Sequence, residues 1–408
     1  MDSIDLYVGI DWASTEHAIC LIDTNGEVLE EFVVEHDAQH LEKLCQKLLS
    51  RVELSSIAIA IEVPHGAVVE TLQERGFAVY SINPRQLDRF RDRFSVAGAK
   101  DDRLDARVLA SSLRTDPKRF HRVKIPPAEL IELREYSRMR SELVAERTRL
   151  SNRIRAQLER YYPQFRKVYA DVSANWMLAL WNVVPTPQAA QSASPSEIAA
   201  VLKKYRIRRI GASEVLEILK QPPLKVVDGT TQAATAHINV LNQQLQLINR
   251  QLRSVDKSLE DSLAKQEEPG QNGEQRDATL LRSLPGVGKV VAATLLSEAL
   301  QPLEERDYST LRALTGVAPV TRRSGKKCQV GMRRACNPRL RDAMYHWARV
   351  AAQRDPHEKK RYASLRARGK THGHALRIVG DRLLSVACGV LSNGTLYDPG
   401  KRRGVATA

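Results

Sequence analysis

Short apolar runs alternate with amphipathic stretches through the first 125 residues, and this alternation is typical of a mixed α/β domain. The run at 57–61 is continuously apolar, as expected for a central strand buried on both faces. A turn signal at 23–26 joins the second of three early strands to the third. The predicted strands cover residues 6–10, 17–22, 28–34, 57–61 and 78–82, and the predicted helices cover 38–50, about 66–75, 85–94 and 103–114.

The pattern changes to long helices after residue 127. Residues 128–160 contain no Gly or Pro, whereas 163–230 contain six prolines and predict only short helices. Apolar residues then recur at spacings of three and four, which is the heptad pattern of a coiled coil. The seven positions are Ile238, Leu241, Leu245, Ile248, Leu252, Val255 and Leu259. We expect coiled-coil pairing, and the partner is either the helix at 128–160 or a second subunit.

Charge adds a polyanionic partner to this picture. The 408 residues include 63 Lys and Arg against 48 Asp and Glu, and the net charge of +15 indicates nucleic acid. Residues 321–370 alone carry 16 basic side chains against three acidic ones. A linker pattern at 267–273 precedes this segment. Three parts are therefore predicted: an α/β domain at 1–125, a helical coiled-coil oligomerisation region at 126–275 and a basic helical domain at 276–400.

The sequence predicts neither export nor membrane insertion. The N-terminus has no basic segment followed by an apolar core, and the chain has no run of about 18 apolar residues. The five cysteines are scattered and form no Cys-x-x-Cys pair, so neither a disulfide framework nor a structural zinc site is expected. We therefore expect a cytoplasmic protein without membrane partners.

Four carboxylates stand where predicted elements end or begin. Asp11 closes the first strand and Glu62 closes the central strand, so neighbouring strands that run the same way bring both to one sheet edge. Asp102 and Asp105 are three residues apart and share a helix face. Four converging carboxylates repel one another unless cations neutralise them, and hard oxygen ligands suit Mg²⁺ or Mn²⁺. Two such ions would activate a nucleophile at a phosphodiester.

These carboxylates also have ordinary structural explanations. An aspartate at a strand end or helix start is commonly a cap, and Asp101 is an equally good N-cap for the helix. Asp105 could pair with Arg103 or Arg107. Only the joint placement of the four residues on the expected elements favours a metal site.

Two motifs in the basic domain point to phosphate. The sequence Leu-Pro-Gly-Val-Gly-Lys at 284–289 lies between two helical patterns and resembles a helix-hairpin-helix turn, in which Gly286, Gly288 and Lys289 offer donors to a DNA phosphate. A hairpin of helices that only packs is the alternative.

Further along, Ser324 stands before a glycine, among the cations Arg322, Arg323, Lys326 and Lys327. These side chains could bind a phosphate while the serine attacks it. From chemistry alone, a phosphate-gripping loop with an incidental serine is the better interpretation.

Several motifs together carry a resemblance to a known family. The order of strands and helices is that of a ribonuclease-H-like domain. Residues 7–11, 61–62, 83–86 and 100–106 resemble the DEDD transposases of bacterial insertion sequences, whose N-terminal domain is similar to the Holliday-junction resolvase RuvC. The resemblance implies that Asp11, Glu62, Asp102 and Asp105 form a tetrad that binds Mg²⁺. Residues 63–66 depart from the Gly-rich turn common in the family at that point.

The segment 284–341 resembles the C-terminal transposase domain of the same family, in which a serine in a Ser-Gly context is the nucleophile. The resemblance therefore assigns that role to Ser324, and it implies a guide RNA transcribed from the flank of the element. We predict an insertion-sequence transposase, or DNA recombinase, that forms a covalent phosphoserine intermediate assisted by the metal centre. We expect it to act as a homodimer or homotetramer on element ends and target DNA.

Four other functions stay open. A structure-specific nuclease similar to a junction resolvase would use the tetrad without Ser324. A tyrosine recombinase would use His374, Arg377 and Tyr397. An ATPase similar to actin or sugar kinases would use residues 9–15 as a phosphate loop, although no Gly-rich adenosine loop follows. A non-catalytic DNA-binding protein would be built on the coiled coil.

Overall fold

The computed structural model describes residues 4–82, 84–94, 101–268, 276–325 and 327–400, without the side chains of 84, 85, 322 and 327. The chain divides into two compact units, unit 1 (Met1–Pro126) and unit 2 (Pro127–Ala408). Unit 1 combines a sheet with helices, and unit 2 is mainly helical. Each unit has buried apolar cores of its own.

Unit 1 is built on a six-stranded mixed sheet. Its strands are β1 (Leu6–Trp12), β2 (Glu16–Ile22), β3 (Val28–Glu35), β4 (Ile57–Ile61), β5 (Ala78–Ser81) and β6 (His121–Arg122). They lie in the order β3-β2-β1-β4-β5-β6. β4 pairs in parallel with both β1 and β5, and the other neighbours are antiparallel. The predicted mixed α/β class is confirmed, and β6 is a strand that the sequence pattern does not predict.

Helices cover both faces of this sheet. They are α1 (Ala38–Leu49), α2 (Ala67–Glu74), α3 (Pro84–Arg91) and α4 (Asp102–Thr115). Side chains alternate between the two faces along a strand. Val8 and Ile10 therefore pack with α1 and α2 on one face, whereas Ala58 and Ala60 pack with α4 on the other. β4 is buried along its whole length, which explains its uninterrupted apolar sequence.

α4 crosses β1 at very short range because β1 carries a glycine at the crossing point. A Cβ atom added to Gly9 would lie 1.8 Å from the carbonyl oxygen of Ala106 and 2.7 Å from the nitrogen of Ala110. Any side chain at this position would push the helix away from the strand. The contact holds the first turns of α4 beside the end of β1.

Unit 2 consists of helices and a two-stranded hairpin. The helices are α5 (Ala128–Tyr161), α6 (Gln164–Val168), α7 (Asn175–Val183), α8 (Pro187–Ser192), α9 (Pro195–Lys204), α10 (Ala212–Leu219), α11 (Thr230–Lys265), α12 (Asp277–Arg282), α13 (Lys289–Glu298), α14 (Leu300–Glu304), α15 (Tyr308–Leu314), α16 (Pro338–Arg354), α17 (Pro356–Ala367) and α18 (His372–Asn393). The hairpin strands are β7 (Val320–Ser324) and β8 (Lys327–Gly331). Within the described ranges, no helix has both the length and the apolar character needed to cross a bilayer.

The heptad stripe of α11 is covered by helices of the same chain. All seven positions are buried. Ile238, Leu245 and Leu252 share a core with residues of α5 to α10, and Leu259 joins the core of the C-terminal helices. The buried Asn242 side chain donates to the carbonyl oxygen of Leu178 at 3.1 Å. The coiled coil is not confirmed, and the oligomer stays a prediction.

Candidate active site

The parallel pairing of β1 with β4 sets Asp11 beside Glu62. Ile10 of β1 is the register partner of Ile61 of β4. The next residues, Asp11 after Ile10 and Glu62 after Ile61, therefore lie at the same level of the sheet. Asp11 is the last residue but one of β1, and Glu62 directly follows β4. Both side chains are half-buried. The sheet therefore places these two residues side by side, as its predicted strand order requires.

The other two predicted carboxylates approach from the helix that covers this end of the sheet. Asp11 follows Gly9 by two residues and shares its face of β1. That face is covered by α4, because Gly9 contacts Ala106. Asp102 and Asp105 lie on the first turn of α4. We call this group of Asp11, Glu62, Asp102 and Asp105 the carboxylate edge.

Asp105 is buried and paired. Its side chain accepts two hydrogen bonds from Arg91 at the end of α3, from Nε at 2.5 Å and from Nη2 at 2.8 Å. Such a two-point contact neutralises a buried carboxylate. The hydrogen bond to Asp105 raises the pKa of Arg91, so the guanidinium stays charged. The sequence analysis misses Arg91, since its only signal is a group of arginines over 85–93.

The start of α4 gives its two adjacent aspartates different surroundings. Asp101 is the N-cap, and its side chain accepts a hydrogen bond from the backbone nitrogen of Arg103 at 3.1 Å. Asp102 is the first helical residue, and it is exposed. Because Asp101 caps the helix, Asp102 is not needed for that purpose.

The four residues of the carboxylate edge lie at the same end of the sheet, but their ligand atoms do not form a compact metal-binding group. A metal site needs several His, Cys, Asp or Glu ligand atoms close together. Among the described residues, three such atoms lie within 4.8 Å of one another at Glu35, Asp37 and His40. The carboxylate edge has no such group of three among its described residues. The cap of α1 explains that exposed trio, because Asp37 accepts a hydrogen bond from the backbone nitrogen of His40 at 2.8 Å. At the carboxylate edge, Arg91 takes both oxygens of Asp105.

Ser324 ends β7 in unit 2, at the turn of the hairpin. It pairs in register with Lys327, and Gly325 between them adopts a φ of 54°. Ser324 and Arg323 are exposed, and no hydrogen bond joins the Ser324 hydroxyl to another described residue. Lys326 and the side chains of Arg322 and Lys327 lie outside the described residues. The predicted serine is thus open to a large substrate.

Comparison with known proteins identifies the family. The DEDD transposase model of IS110 elements matches residues 8–163, and a model described as Transposase IS116/IS110/IS902 family matches residues 278–363. A Streptomyces coelicolor protein, whose name describes a mini-circle transposase for IS117, is 31% identical over 394 residues. That alignment covers 94% of this chain and 93% of the relative. The chain belongs to the IS110 family of insertion-sequence transposases.

Two further proteins with transposase or insertion-element names are similar to this chain. A Sinorhizobium fredii protein, whose name describes a transposase y4uE, is 49% identical over 214 residues; the alignment covers 52% of this chain and 60% of that relative. An insertion element IS900 protein of Mycobacterium paratuberculosis is 23% identical, with 97% of each chain covered. Membership of a transposase family implies cleavage of DNA and transfer of its strands. The first matched range contains the carboxylate edge, and the second contains Ser324.

In this IS110-family transposase, the turn at 284–289 packs against α16. The Nε1 atom of Trp347 donates to the carbonyl oxygen of Pro285 at 2.9 Å, and Gly286 adopts a φ of 85°. The Nζ atom of Lys289 lies 3.1 Å from the carboxylate of Glu260. These contacts give the predicted helix-hairpin-helix turn a packing role. DNA binding by Gly286, Gly288 and Lys289 stays a prediction.

Two residues of the tyrosine-recombinase alternative, Arg377 and Tyr397, line different cavities of unit 2. Arg377 lines a cavity beside α16, and Tyr397 lines another with Arg382. The backbone nitrogen of Tyr397 donates to the Ser283 hydroxyl at 2.9 Å, and its ring packs against the core. Nothing in these positions favours that alternative over the IS110-family reaction.

Proposed function

We propose that this IS110-family transposase cuts and exchanges DNA strands through a covalent phosphoserine on Ser324, and that the carboxylate edge assists by holding divalent metal ions. The observation that carries the proposal is the placement of Asp11 and Glu62 at one level of adjacent parallel strands, under the helix that bears Asp102 and Asp105. A purely structural function does not call for four carboxylates on one side of a sheet end, because like charges there repel one another.

The ligand chemistry at the carboxylate edge fits Mg²⁺ or Mn²⁺. All four side chains offer hard oxygen donors, which these ions prefer. Asp11, Glu62 and Asp102 would hold the metal, and Asp105 would be a further ligand in place of its contact with Arg91. When bound, the metal would supply positive charge for the developing charge of the phosphodiester. Arg91 meanwhile orients the buried Asp105 carboxylate through its two hydrogen bonds.

The chemistry proposed for Ser324 needs no further reactant. Its Oγ forms a bond to phosphorus while the bond from phosphorus to one sugar oxygen breaks, and the hydroxyl proton passes to the leaving sugar oxygen. A sugar hydroxyl of the exchanged strand then attacks the phosphoserine and restores the serine. Arg323 and its basic neighbours in the hairpin stabilise the negative charge on the phosphoryl oxygens. The exposure of Ser324 supports this role, since a DNA strand reaches it without displacing core residues.

We also propose that RNA transcribed from the flank of the element guides target choice. This part rests on the family resemblance and on the net charge of +15. A homo-oligomer, dimer or tetramer, is proposed on the same basis.

The test is a denaturing-gel assay for a protein–DNA adduct. Element junction DNA is incubated with Mg²⁺, with and without flanking transcripts, and with wild type, Ser324→Ala, Asp11→Asn or Asp102→Asn. We expect an SDS-resistant adduct in wild type and none in the variants. The adduct should also depend on the transcripts.

Two matched controls lie beside the tested residues. Thr321→Ala removes an exposed hydroxyl from the same strand as Ser324, and Asp101→Asn keeps a capping side chain next to Asp102. Both should retain the adduct. Cleavage without an adduct, unchanged in Ser324→Ala but lost in Asp11→Asn, would contradict the serine mechanism and favour a hydrolytic metal nuclease.

A further inference from the structure

Two tyrosines and a histidine form a polar aromatic cluster on unit 2, outside the residues assigned above. The Tyr362 hydroxyl lies 2.7 Å from Nδ1 of His372, and the Tyr345 hydroxyl lies 3.4 Å from Nε2 of the same ring. Both tyrosine rings meet the imidazole nearly at right angles, with ring centroids about 6 Å apart. His346 makes a similar contact with Tyr345. We call Tyr345, His346, Tyr362 and His372 the aromatic cluster.

The aromatic cluster is exposed where a core cluster would be buried. Tyr345 keeps 42% of its surface, and His346 and His372 are also exposed. Tyr362 alone packs partly against the apolar core. Three helices, α16, α17 and α18, contribute its members, so the rings are held by rigid elements.

A small cavity with basic residues adjoins the cluster. Tyr345 lines it together with Arg341, Arg377, Met332 and Asp342, and its volume is about 160 Å³. Pockets that enclose drug-sized ligands are larger, roughly 300 to 1,000 Å³, so this cavity suits one base or one phosphate. Arg341 also pairs with Asp342, at 3.5 Å.

The cavity lies at the foot of the hairpin that carries Ser324. Met332 directly follows β8, and Arg377 donates to its sulfur atom at 3.6 Å. The surroundings of the cavity are positively charged. The pKa of His374 is lowered, first by partial burial and then by the nearby charges of Lys370 and Arg377. A nucleic-acid strand on the hairpin would therefore find cations and exposed rings side by side.

We propose that the aromatic cluster binds an unpaired nucleobase, which stacks on Tyr345 while Arg341 and Arg377 hold the adjoining phosphate. Exposed aromatic rings beside cations are the usual platform for single-stranded nucleic acid, because every base has a stacking face. A base inside a duplex is already stacked, so the site distinguishes unpaired from paired strands. This proposal rests on the proposed DNA reaction and deepens it by naming what is bound at the base of the hairpin that carries Ser324, and its test does not depend on catalysis.

The test uses full-length protein with Ser324→Ala, so that no strand is cut. Short DNA and RNA strands with one 2-aminopurine report stacking by fluorescence quenching, and a duplex with the same label is the reference. We expect strong quenching with single strands and little with the duplex. Quenching of the label in either the DNA or the RNA strand supports the site. The difference in quenching between the two strands shows whether the bound base comes from DNA or from RNA. Absence of quenching with both would overturn it.

Second-site variants separate stacking from charge. Tyr345→Ala should weaken single-strand binding about tenfold and abolish the quenching, since one stacked base contributes roughly that much. Tyr345→Phe should retain both, and Leu247→Ala, an exposed apolar residue on α11, should change neither. Arg377→Gln should weaken single-strand binding and reduce its salt dependence.

Unchanged quenching in Tyr345→Ala would refute the stacking role even if Ser324 forms its adduct. Retained stacking in a protein that never forms an adduct would refute only the serine mechanism.

Discussion

The carboxylate edge of unit 1 and the Ser324 hairpin of unit 2 are supported in opposite ways. Asp11, Glu62 and Asp105 are positioned by a buried sheet and by a helix in backbone contact with it. Ser324 stands on two exposed strands, and such an isolated hairpin has little stability of its own. The carboxylates are therefore placed by the fold, whereas Ser324 is exposed on a hairpin.

This difference has a functional consequence. Residues placed by a core hold their geometry between reaction cycles, and a change in that core affects them directly. Most residues of an exposed hairpin, by contrast, can change without loss of the fold. Substitutions that look equivalent should therefore have unequal effects in the two regions.

The largest effect should come from adding one methyl group at each site. Gly9→Ala places a Cβ atom 1.8 Å from the carbonyl oxygen of Ala106, and we expect it to destabilise unit 1 by at least about 3 kcal/mol. Gly325→Ala meets no atom within 4 Å and costs only the left-handed backbone, about 1 kcal/mol. Hydrogen exchange with mass spectrometry should show faster exchange in β1 and α4 for Gly9→Ala alone.

Equal exchange in the two glycine variants would contradict the comparison. Gly331→Ala is a useful control, because this hairpin glycine also has open space around its Cβ position. It should leave exchange in unit 1 unchanged.

A smaller effect is expected from separating Arg91 and Asp105. Arg91→Met leaves a buried carboxylate without its cation, which we expect to cost about 3 kcal/mol in the absence of metal. It also frees both Asp105 oxygens, so Mn²⁺ should raise the melting temperature of the variant more than that of wild type. Differential scanning calorimetry with and without Mn²⁺ measures both effects.

Arg93→Met is the matched control for Arg91, since Arg93 is exposed and pairs with Asp116 at 3.7 Å. It should change stability by well under 1 kcal/mol. If Mn²⁺ stabilises Arg91→Met and wild type equally, Asp105 is not a metal ligand.

The sequence predicts most of unit 1 because its signals are local. The apolar run of β4, the turn before β3 and the spacing of α4 each specify an element within a few residues. The pairing of Asp11 with Glu62 then follows from parallel strands. The family resemblance adds the proposed role of Ser324, which chemistry alone does not favour.

Contacts between distant residues could not be predicted in the same way. Arg103 and Arg107 are nearer to Asp105 along the chain, yet the fold brings Arg91 to it. The heptads of α11 specify an apolar stripe but not its cover, which the long helix α5 and the short helices α6 to α10 of the same chain provide. The aromatic cluster joins three helices, and its members have no shared spacing in sequence.

The smallest of the three effects should appear as a pH dependence of the stability of unit 1. His17 in β2 is fully buried, and its Nε2 atom lies 2.9 Å from Nδ1 of His36. Burial, and then the nearby His36, lowers the pKa of His17 to about 4. In the unfolded chain the pKa is about 6.5, so the unfolded state binds the proton more readily. Stability is therefore complete above about pH 6.5 and falls as the pH drops toward 4.

Between pH 7 and pH 5, this histidine should cost unit 1 about 2 kcal/mol of unfolding free energy. Hydrogen exchange of β1 and β2 peptides in urea at the two pH values measures the loss. His17→Gln should lose distinctly less than wild type, because the buried group no longer titrates, whereas the hairpin peptides should give the same pH response in both proteins. An identical loss in wild type and His17→Gln would assign the pH dependence to other groups. A smaller loss in His17→Gln, seen in the β1 and β2 peptides, would assign the pH dependence to the buried core of unit 1.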